Sequence, residues 1–503
     1  MAQAGAARLG QPLRRAAKRR CSMSSDPSAT LLIDGEWRTG ASTFEVADPA
    51  TTELIGHAAD ATTADARAAL DAACAAFPAW RGTDAETRGG YLRAAATAIR
   101  AERETLAALL TSENGKPLAE SRGEVLGAAR MLEWSAEEGR RAYGKVTPPA
   151  ANGPGLTLMT PVGPTLAITP WNFPASMLVR KIGLALAAGT TLIVKPAEQT
   201  PLIAAALVRL INDAGLPAGV LQNLTSSRPA ELVGELLADP RLRKISFTGS
   251  TEVGLGLLRS TGERLRRVSL EMGGHSPAIV FADADLDAAA AAITAAKFTN
   301  AGQSCTAINR LFVHRDVRED LVARLEEKAA ALRVGHGAED GTNIGPLIDQ
   351  AGLEKVERHV KDAVAKGARV LCGGKRWTPE RAELKGAFYE PTILADVDHG
   401  MAISQEETFG PVLPVFTFED DDAVVDQANA TAYGLAAYVF GSDFRRLWRT
   451  LDRLEFGVIG VNEPAPVRPE LPFGGMKNSG QEREGGSEGI EGYLEHKAVA
   501  FKL

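Results

Sequence analysis

The chain predicts an α/β fold: two doubly wound α/β domains with a small additional arm. Three observations carry this reading. Between residues 165 and 280, the short apolar runs "TLAIT", "TLIVK", "VLQNL", "KISFTG" and "VSLEMGG" alternate with helical segments, notably 200–214 and 228–238. Parallel strands need such crossovers, so the rhythm is that of a parallel sheet. A second round follows, with "AIVF", "RLFVH", "ARVLCGG", "EPTILADV", "VLPVFTF", "AAYVF" and "GVIGVN" as strands and helices near 284–300, 316–333, 350–366, 420–430 and 443–454. Third, 503 residues with 45% hydrophobic and 24% charged side chains are enough for more than one core without any staple.

The elements follow in order. Residues 1–23 carry six basic side chains and no acidic one, and lack the apolar core of a secretory signal. This head reads either as an Arg-rich transit segment or as disordered or untranslated sequence ahead of a start at Met23. Residues 30–60 read as short strands, with a hairpin turn at Asp34-Gly35. Residues 62–142 are helical, with apolar residues at three- and four-residue spacing and Gly115 and Gly144 as helix stops. Residues 143–160 are Pro/Gly-rich and end in an alternating run. The final "GYLEHKAVAFKL" reads as an edge strand or an exchanged arm.

Composition also excludes. The formal charge of −7 argues against a nucleic-acid binder. The longest apolar stretches are about nine residues, such as Ala288 to Ala296, against the ~20 a membrane span needs. Four cysteines rule out a disulfide scaffold and point to a reducing compartment, here the cytoplasm. The seven histidines show no ligand spacing such as HxxxH, so no metal is expected.

Three short segments carry chemistry. In "GQSCTAINR", Cys305 lies in a turn after a helix, where backbone N–H groups can favour a thiolate. In "VSLEMGGHSP", Glu271 ends an apolar strand before two glycines, the position of a site base. In "TPWNFP", the Asn172 amide can donate to an oxyanion. Each has a plainer alternative: Cys305 a small buried hydrophobe, Glu271 a buried capping group, Asn172 a turn former.

Together the motifs are more specific. The order and spacing of "TPWNFP", "VKPAEQTP", "FTGSTEVG", "LEMGG", "GQSC", "EETFGPV" and "PFGGMKNSG" resemble the aldehyde dehydrogenase superfamily, from about residue 30 to the last residue. "GKPLAES", "KISFTGS" and "GPLIDQAGLEKVERHVKDAVAKGARVLCGGKR" look most like its succinate-semialdehyde dehydrogenase branch. The resemblance implies a Rossmann-like cofactor domain from 24–142 and 161–272, a catalytic domain from 273–472, and an oligomerisation arm from 143–160 and 484–503. It implies Cys305 as nucleophile, Asn172 with the Cys305 N–H as oxyanion hole, and Glu271 as the base for deacylation.

The resemblance also implies NAD as cofactor. There is no GxGxxG, but Gly249 and Ser250 open a helix after "KISFT", a place for pyrophosphate. Lys195 and Glu198 match the residues that hold the adenosine ribose, where a carboxylate repels a 2′-phosphate. Glu407 and Phe409 match the nicotinamide-ribose clamp and its packing partner, and Trp171 a residue near the phosphates.

Arg180 matches the branch's substrate arginine and implies an anionic aldehyde gripped by its guanidinium. Phe473 is a further substrate-side residue. The branch's second arginine is Thr299 here, and Arg468 is a candidate replacement. Ala307 stands where some members carry a second, redox-active Cys, and Glu482 where Gly is usual.

The expected activity is NAD-dependent oxidation of succinate semialdehyde by a homodimer or homotetramer. The alternatives are glutarate semialdehyde, a sulfonated or phosphorylated aldehyde, general aldehydes, a CoA-acylating reaction, or a non-catalytic crystallin-type role.

Overall fold

The computed structural model describes residues 28–148, 153–262 and 264–502; the head, residues 1–23, lies outside them. The first sheet has eight strands, in the order Gly480–Gln481, Arg267–Glu271, Lys244–Thr248, Thr165–Ile168, Leu192–Lys195, Leu221–Asn223, Leu31–Ile33 and Glu36–Arg38. The five from Arg267–Glu271 to Leu221–Asn223 are parallel. Strand order reverses between Thr165–Ile168 and Lys244–Thr248. Loops leaving the two carboxyl ends diverge there and open a crevice.

Why the sheet is covered on both faces is legible residue by residue. Side chains alternate across a strand. Leu166, Ile193, Ile245, Phe247, Val268 and Leu270 pack with Leu70 and Ala73 of helix Thr63–Gly82 and Leu232 of helix Pro229–Ala238. Ala167, Leu192 and Val194 point the other way, to helices Leu118–Arg141, Pro174–Ala188 and Pro201–Asn212. Strands apolar on both faces can only be interior strands.

The second sheet has seven strands, ordered Arg369–Cys372, Thr392–Ala395, Val412–Phe418, Ile308–His314, Ser276–Val280, Ala436–Phe440 and Val458–Val461. Its one antiparallel pair is at the Arg369–Cys372 edge. Glu271 ends a strand of the first sheet and Ser276 begins one of the second. The join is thus four residues, Met272 to His275, and it brings the carboxyl ends of one sheet to the amino ends of the other. A third sheet is antiparallel: Lys145–Val146, Gly155–Pro161 and Leu494–Ala500.

The local signals hold with one exception. Asp34 and Gly35, at φ 55° and 77°, form the hairpin turn, and Gly115 at φ 87° caps helix Arg103–Asn114. Gly144 is not a helix stop. Helix Leu118–Arg141 ends earlier, at Ala142. Gly144 instead lies so close to the neighbouring strand that a Cβ would collide with the Thr157 carbonyl.

Candidate active site

The thiol sits on a strained loop. After helix Leu286–Phe298, the residues Asn300, Ala301 and Gly302 have φ of 50°, 53° and 74°. Left-handed backbone costs a residue with a Cβ about 1–2 kcal/mol, so such a loop persists only if it is held. It is held from several sides. The Asn300 N–H donates to Glu120 at 2.8 Å, and its amide donates to the Asn172 carbonyl at 2.9 Å. Gln303 donates to the Asn300 carbonyl at 3.0 Å and accepts from the Ile348 N–H at 2.9 Å. A Cβ on Gly302 would collide with the Gly410 carbonyl.

Glu271 and the glycines after it explain each other. Gly274 packs so tightly on the loop that a Cβ would overlap the Cys305 carbonyl oxygen. Only glycine allows that approach, which sets Glu271 and Cys305 beside one cavity. Glu271 is 2% exposed, and neither carboxylate oxygen has a hydrogen-bond partner. Glu407 accepts from the Gly274 N–H at 3.0 Å.

Asn172 lies in the turn between strand Thr165–Ile168 and helix Pro174–Ala188. Its side-chain amide donates to the Gln303 carbonyl at 3.2 Å, which spends one N–H and leaves the second. The turn is fixed from below by a buried ion pair. Lys116 donates to Glu124 at 2.6 Å and to the Asn172 carbonyl at 2.7 Å. Glu124 accepts the N–H groups of Ala175 and Ser176, two orphan donors of the helix N-terminus.

Two cavities meet at Cys305. One, at the crevice of the first sheet, is lined by Trp171, Asn172, Gly249, Ser250, Glu271, Glu407 and Phe409. The other is lined by Arg180, Thr299, Thr306, Tyr438 and the 464–470 loop with Arg468. Cys305 and Phe473 border both. The Arg180 guanidinium lies 4.6 Å from the Phe473 ring centre, and its Nε and Nη1 have no partner. Arg180 is only 6% exposed. A buried cation without an ion-pair partner costs several kcal/mol of stability. Arg468 differs: it is 58% exposed and already paired with Glu463 at 2.6 Å.

Burial dominates the electrostatics of the site. Burial, then Glu407 and Glu271, push the Cys305 thiol up to about 12, with Arg180 opposing. Burial, then Glu484, holds the Glu271 carboxyl well above the usual carboxylate range, against Lys181, Arg180 and Arg483. Burial raises Glu407 to about 7.

The remaining predicted residues divide in two. Trp171 and Phe409 meet edge-on in the crevice, ring centres 5.6 Å apart. Ser250 caps helix Thr251–Ser260, and Gly249 is pressed against Phe247, where a Cβ would come within 2.5 Å of the ring. Lys195 and Glu198 do not line that cavity. They pair at 3.0 Å where the adjacent strand ends, Glu198 32% exposed and Lys195 4%. Sequence reading assigned no role to Lys116, Glu120, Glu124 or Gln303. "GKPLAES" contained the first two, but a Lys just before a helix or a Glu in its first turn carries no local sign of burial. Glu482, where a glycine is usual, adopts φ 69° and reaches buried Lys244 at 2.9 Å. Among the described residues no three His, Cys, Asp or Glu gather as metal ligands would, and no helix is long and apolar enough to cross a membrane.

Residues 37–499 match the aldehyde dehydrogenase family. The chain is 46% identical to a succinate-semialdehyde dehydrogenase [NADP(+)] of Escherichia coli, over 94% of this chain and 97% of that one. It is also 46% identical to a glutarate-semialdehyde dehydrogenase of Pseudomonas putida, over 94% and 97%. A solved structure of an E. coli NADP-dependent enzyme superposes with a TM-score of 0.92 at 45% identity, over 95% and 98% of the two chains.

Proposed function

The chain belongs to the aldehyde dehydrogenase family, and on that premise we propose that it oxidises a short ω-carboxylated aldehyde, succinate semialdehyde first, with NAD as the preferred acceptor. One observation carries the substrate: the buried, unpartnered guanidinium of Arg180 in the cavity that reaches Cys305. A carboxylate tail bound there would give this guanidinium the acceptor it lacks.

The crevice residues fit a nicotinamide cofactor. Ser250 opens a helix at the switch point, a position suited to pyrophosphate, and Trp171, Glu407 and Phe409 line the inner end. When bound, the cofactor supplies a hydride acceptor. The chain's own residues do the rest. The Cys305 thiol gives up its proton to water, and the thiolate Sγ adds to the aldehyde carbon. The free N–H of the Asn172 amide and the Cys305 N–H donate to the oxyanion, a donor of this kind being worth ~3–4 kcal/mol. The thioester left on Cys305 after oxidation is opened by water, whose proton passes to Glu271. The few unpaired thiols, Cys74, Cys305 and Cys372, support a cytoplasmic setting. The antiparallel sheet, with Val146 73% and Leu158 43% exposed, supports a homodimer or homotetramer that covers it.

Arg180→Ala tests the substrate. Leaving the substrate's carboxylate unpaired costs roughly 2–5 kcal/mol, so kcat/KM for succinate semialdehyde should fall ~30-fold or more. Butanal, of similar length and uncharged, should lose far less. Arg468→Ala should cost either aldehyde at most ~1 kcal/mol, about fivefold, because its guanidinium is exposed and already paired. Equal losses for the two aldehydes in Arg180→Ala would make this a general aldehyde dehydrogenase. The same panel with glutarate semialdehyde, with and without CoA, ranks the remaining substrates.

Glu198 supports NAD. A carboxylate at the ribose edge repels a 2′-phosphate, so kcat/KM should favour NAD over NADP by about tenfold or more, ~1.4 kcal/mol. Equal use of both would contradict this, and would bring the chain nearer its E. coli relative named for NADP(+).

A further inference from the structure

Helix Gln350–Ala365 turns one face to the crevice, and the chemistry above uses none of it. Gly352 and Lys355 line the cavity, and His359 stands one turn further on, fully buried. We infer that His359 is a positioning residue that fixes the Glu406–Phe409 turn, and with it Glu407, at the nicotinamide end of the cavity. This rests on the reading of that cavity as a nicotinamide-cofactor site.

The bonding supports one arrangement. His359 Nε2 lies 3.1 Å from Glu406 Oε2, and Nδ1 lies 3.2 Å from Thr408 Oγ1. A carboxylate only accepts, so Nε2 carries the proton, and Nδ1 accepts from the Thr408 hydroxyl. A neutral imidazole meets both demands at once, and burial favours the neutral form. On its other side, the Thr408 N–H approaches Asn309 Oδ1 at 3.4 Å. Asn309 belongs to strand Ile308–His314, which follows Cys305. Thr408 is therefore gripped from two elements, and it lines the cavity together with its neighbours Glu407 and Phe409. Phe409 has φ 56°, strained for a bulky residue, and such a turn persists only where the surroundings impose it. One helical turn beyond His359, Asp362 accepts the Ala402 N–H at 2.7 Å, so the same helix also holds the approach to the turn. Glu407 in turn accepts the Gly274 N–H in the loop after Glu271, whereas the loops of Cys305 and Asn172 are held through Asn300, Gln303 and Lys116.

The expected consequence is a defect of cofactor binding and not of the thiol. His359→Leu should raise the KM for the cofactor about tenfold or more, with kcat and the aldehyde KM changed less than ~threefold. Thr408→Val, a near-isosteric change that keeps the fold if the leucine variant does not, should do the same. The double variant should be little worse than His359→Leu alone, because that change already removes the His359–Thr408 bond. His359→Gln, which keeps a donor and an acceptor, should recover part of the loss. Hydrolysis of 4-nitrophenyl acetate needs Cys305 and Glu271 but no cofactor, and should stay within ~twofold in all of these. Equal falls in ester hydrolysis and dehydrogenation would mean a general packing role and overturn the inference. So would an unchanged cofactor KM in folded His359→Leu. Failure of the unmodified protein to bind NAD or NADP, read from tryptophan fluorescence, would instead overturn the cofactor reading on which this rests.

Discussion

Alanine at position 305 should abolish aldehyde-dependent formation of reduced nicotinamide and leave the fold in place. Deleting a covalent nucleophile costs on the order of 10⁴-fold or more, since no neighbouring group can replace the bond it forms. The described residues offer no substitute thiol at the site: Cys74 and Cys372 lie in other elements, and position 307 is alanine. Stability should barely change. The loop is held through Asn300 and Gln303, and Sγ makes no hydrogen bond that alanine would remove. The unmodified thiol should also report its surroundings. Only the thiolate reacts with iodoacetamide, and burial with two nearby carboxylates pushes this thiol up to about 12. Alkylation of Cys305 should therefore still be climbing with pH above 9. Saturating oxidised cofactor, whose nicotinamide ring is cationic, should move the rise to lower pH. Normal turnover by pure Cys305→Ala protein would sink the assignment.

Much of this architecture can be read before any coordinates, for a physical reason. The interior strands are apolar on both faces, and the crossovers between them are long enough to be helices, so a doubly wound parallel sheet is nearly the sole arrangement that buries them. Cys305, Glu271 and Asn172 stand out as candidates in the sequence because glycine or proline lies within three positions of each, at turns where backbone geometry leaves a local signature. The supports were not. Lys116 reaches the Asn172 carbonyl across 56 positions, and Glu120 meets the Asn300 N–H across 180. No window of sequence reports a charge neutralised at that separation. Glu482 shows the same limit from the other side. Judged locally, a glutamate at a left-handed position should disturb its turn. The structure keeps the turn, because the carboxylate reaches Lys244 and Ser269 in the interior at 2.9 and 2.5 Å. The pair of candidate substrate arginines separates on burial, which periodicity could not rank: Arg180 lies on an interior helix face, Arg468 on an exposed loop.

Glutamine in place of Glu271 should separate the two halves of the reaction. The change keeps the shape and removes the base. Neither carboxylate oxygen makes a hydrogen bond, so the amide loses no partner. Thiohemiacetal formation and oxidation need Cys305 and the oxyanion donors, so the first turnover should produce a burst of reduced nicotinamide close to one per site. Opening of the thioester then lacks a proton acceptor, and steady turnover should fall by ~10²–10⁴-fold, the range of a general base. The pH dependence carries the same signature. Burial and the neighbouring Glu484 hold the Glu271 carboxyl well above the usual carboxylate range. The ionised form is the one that accepts water's proton, so in the unmodified enzyme kcat should decline as pH falls through that raised value, at a higher pH than an ordinary glutamate would give. Glu271→Gln should lose this acid limb from its residual steady rate, while the burst amplitude stays the same across the range. Rapid-quench or stopped-flow measurement of the burst decides it. A variant with no burst would mean that Glu271 acts before oxidation, taking the proton of the Cys305 thiol. The acid limb would then belong to nucleophile activation and not to hydrolysis of the thioester.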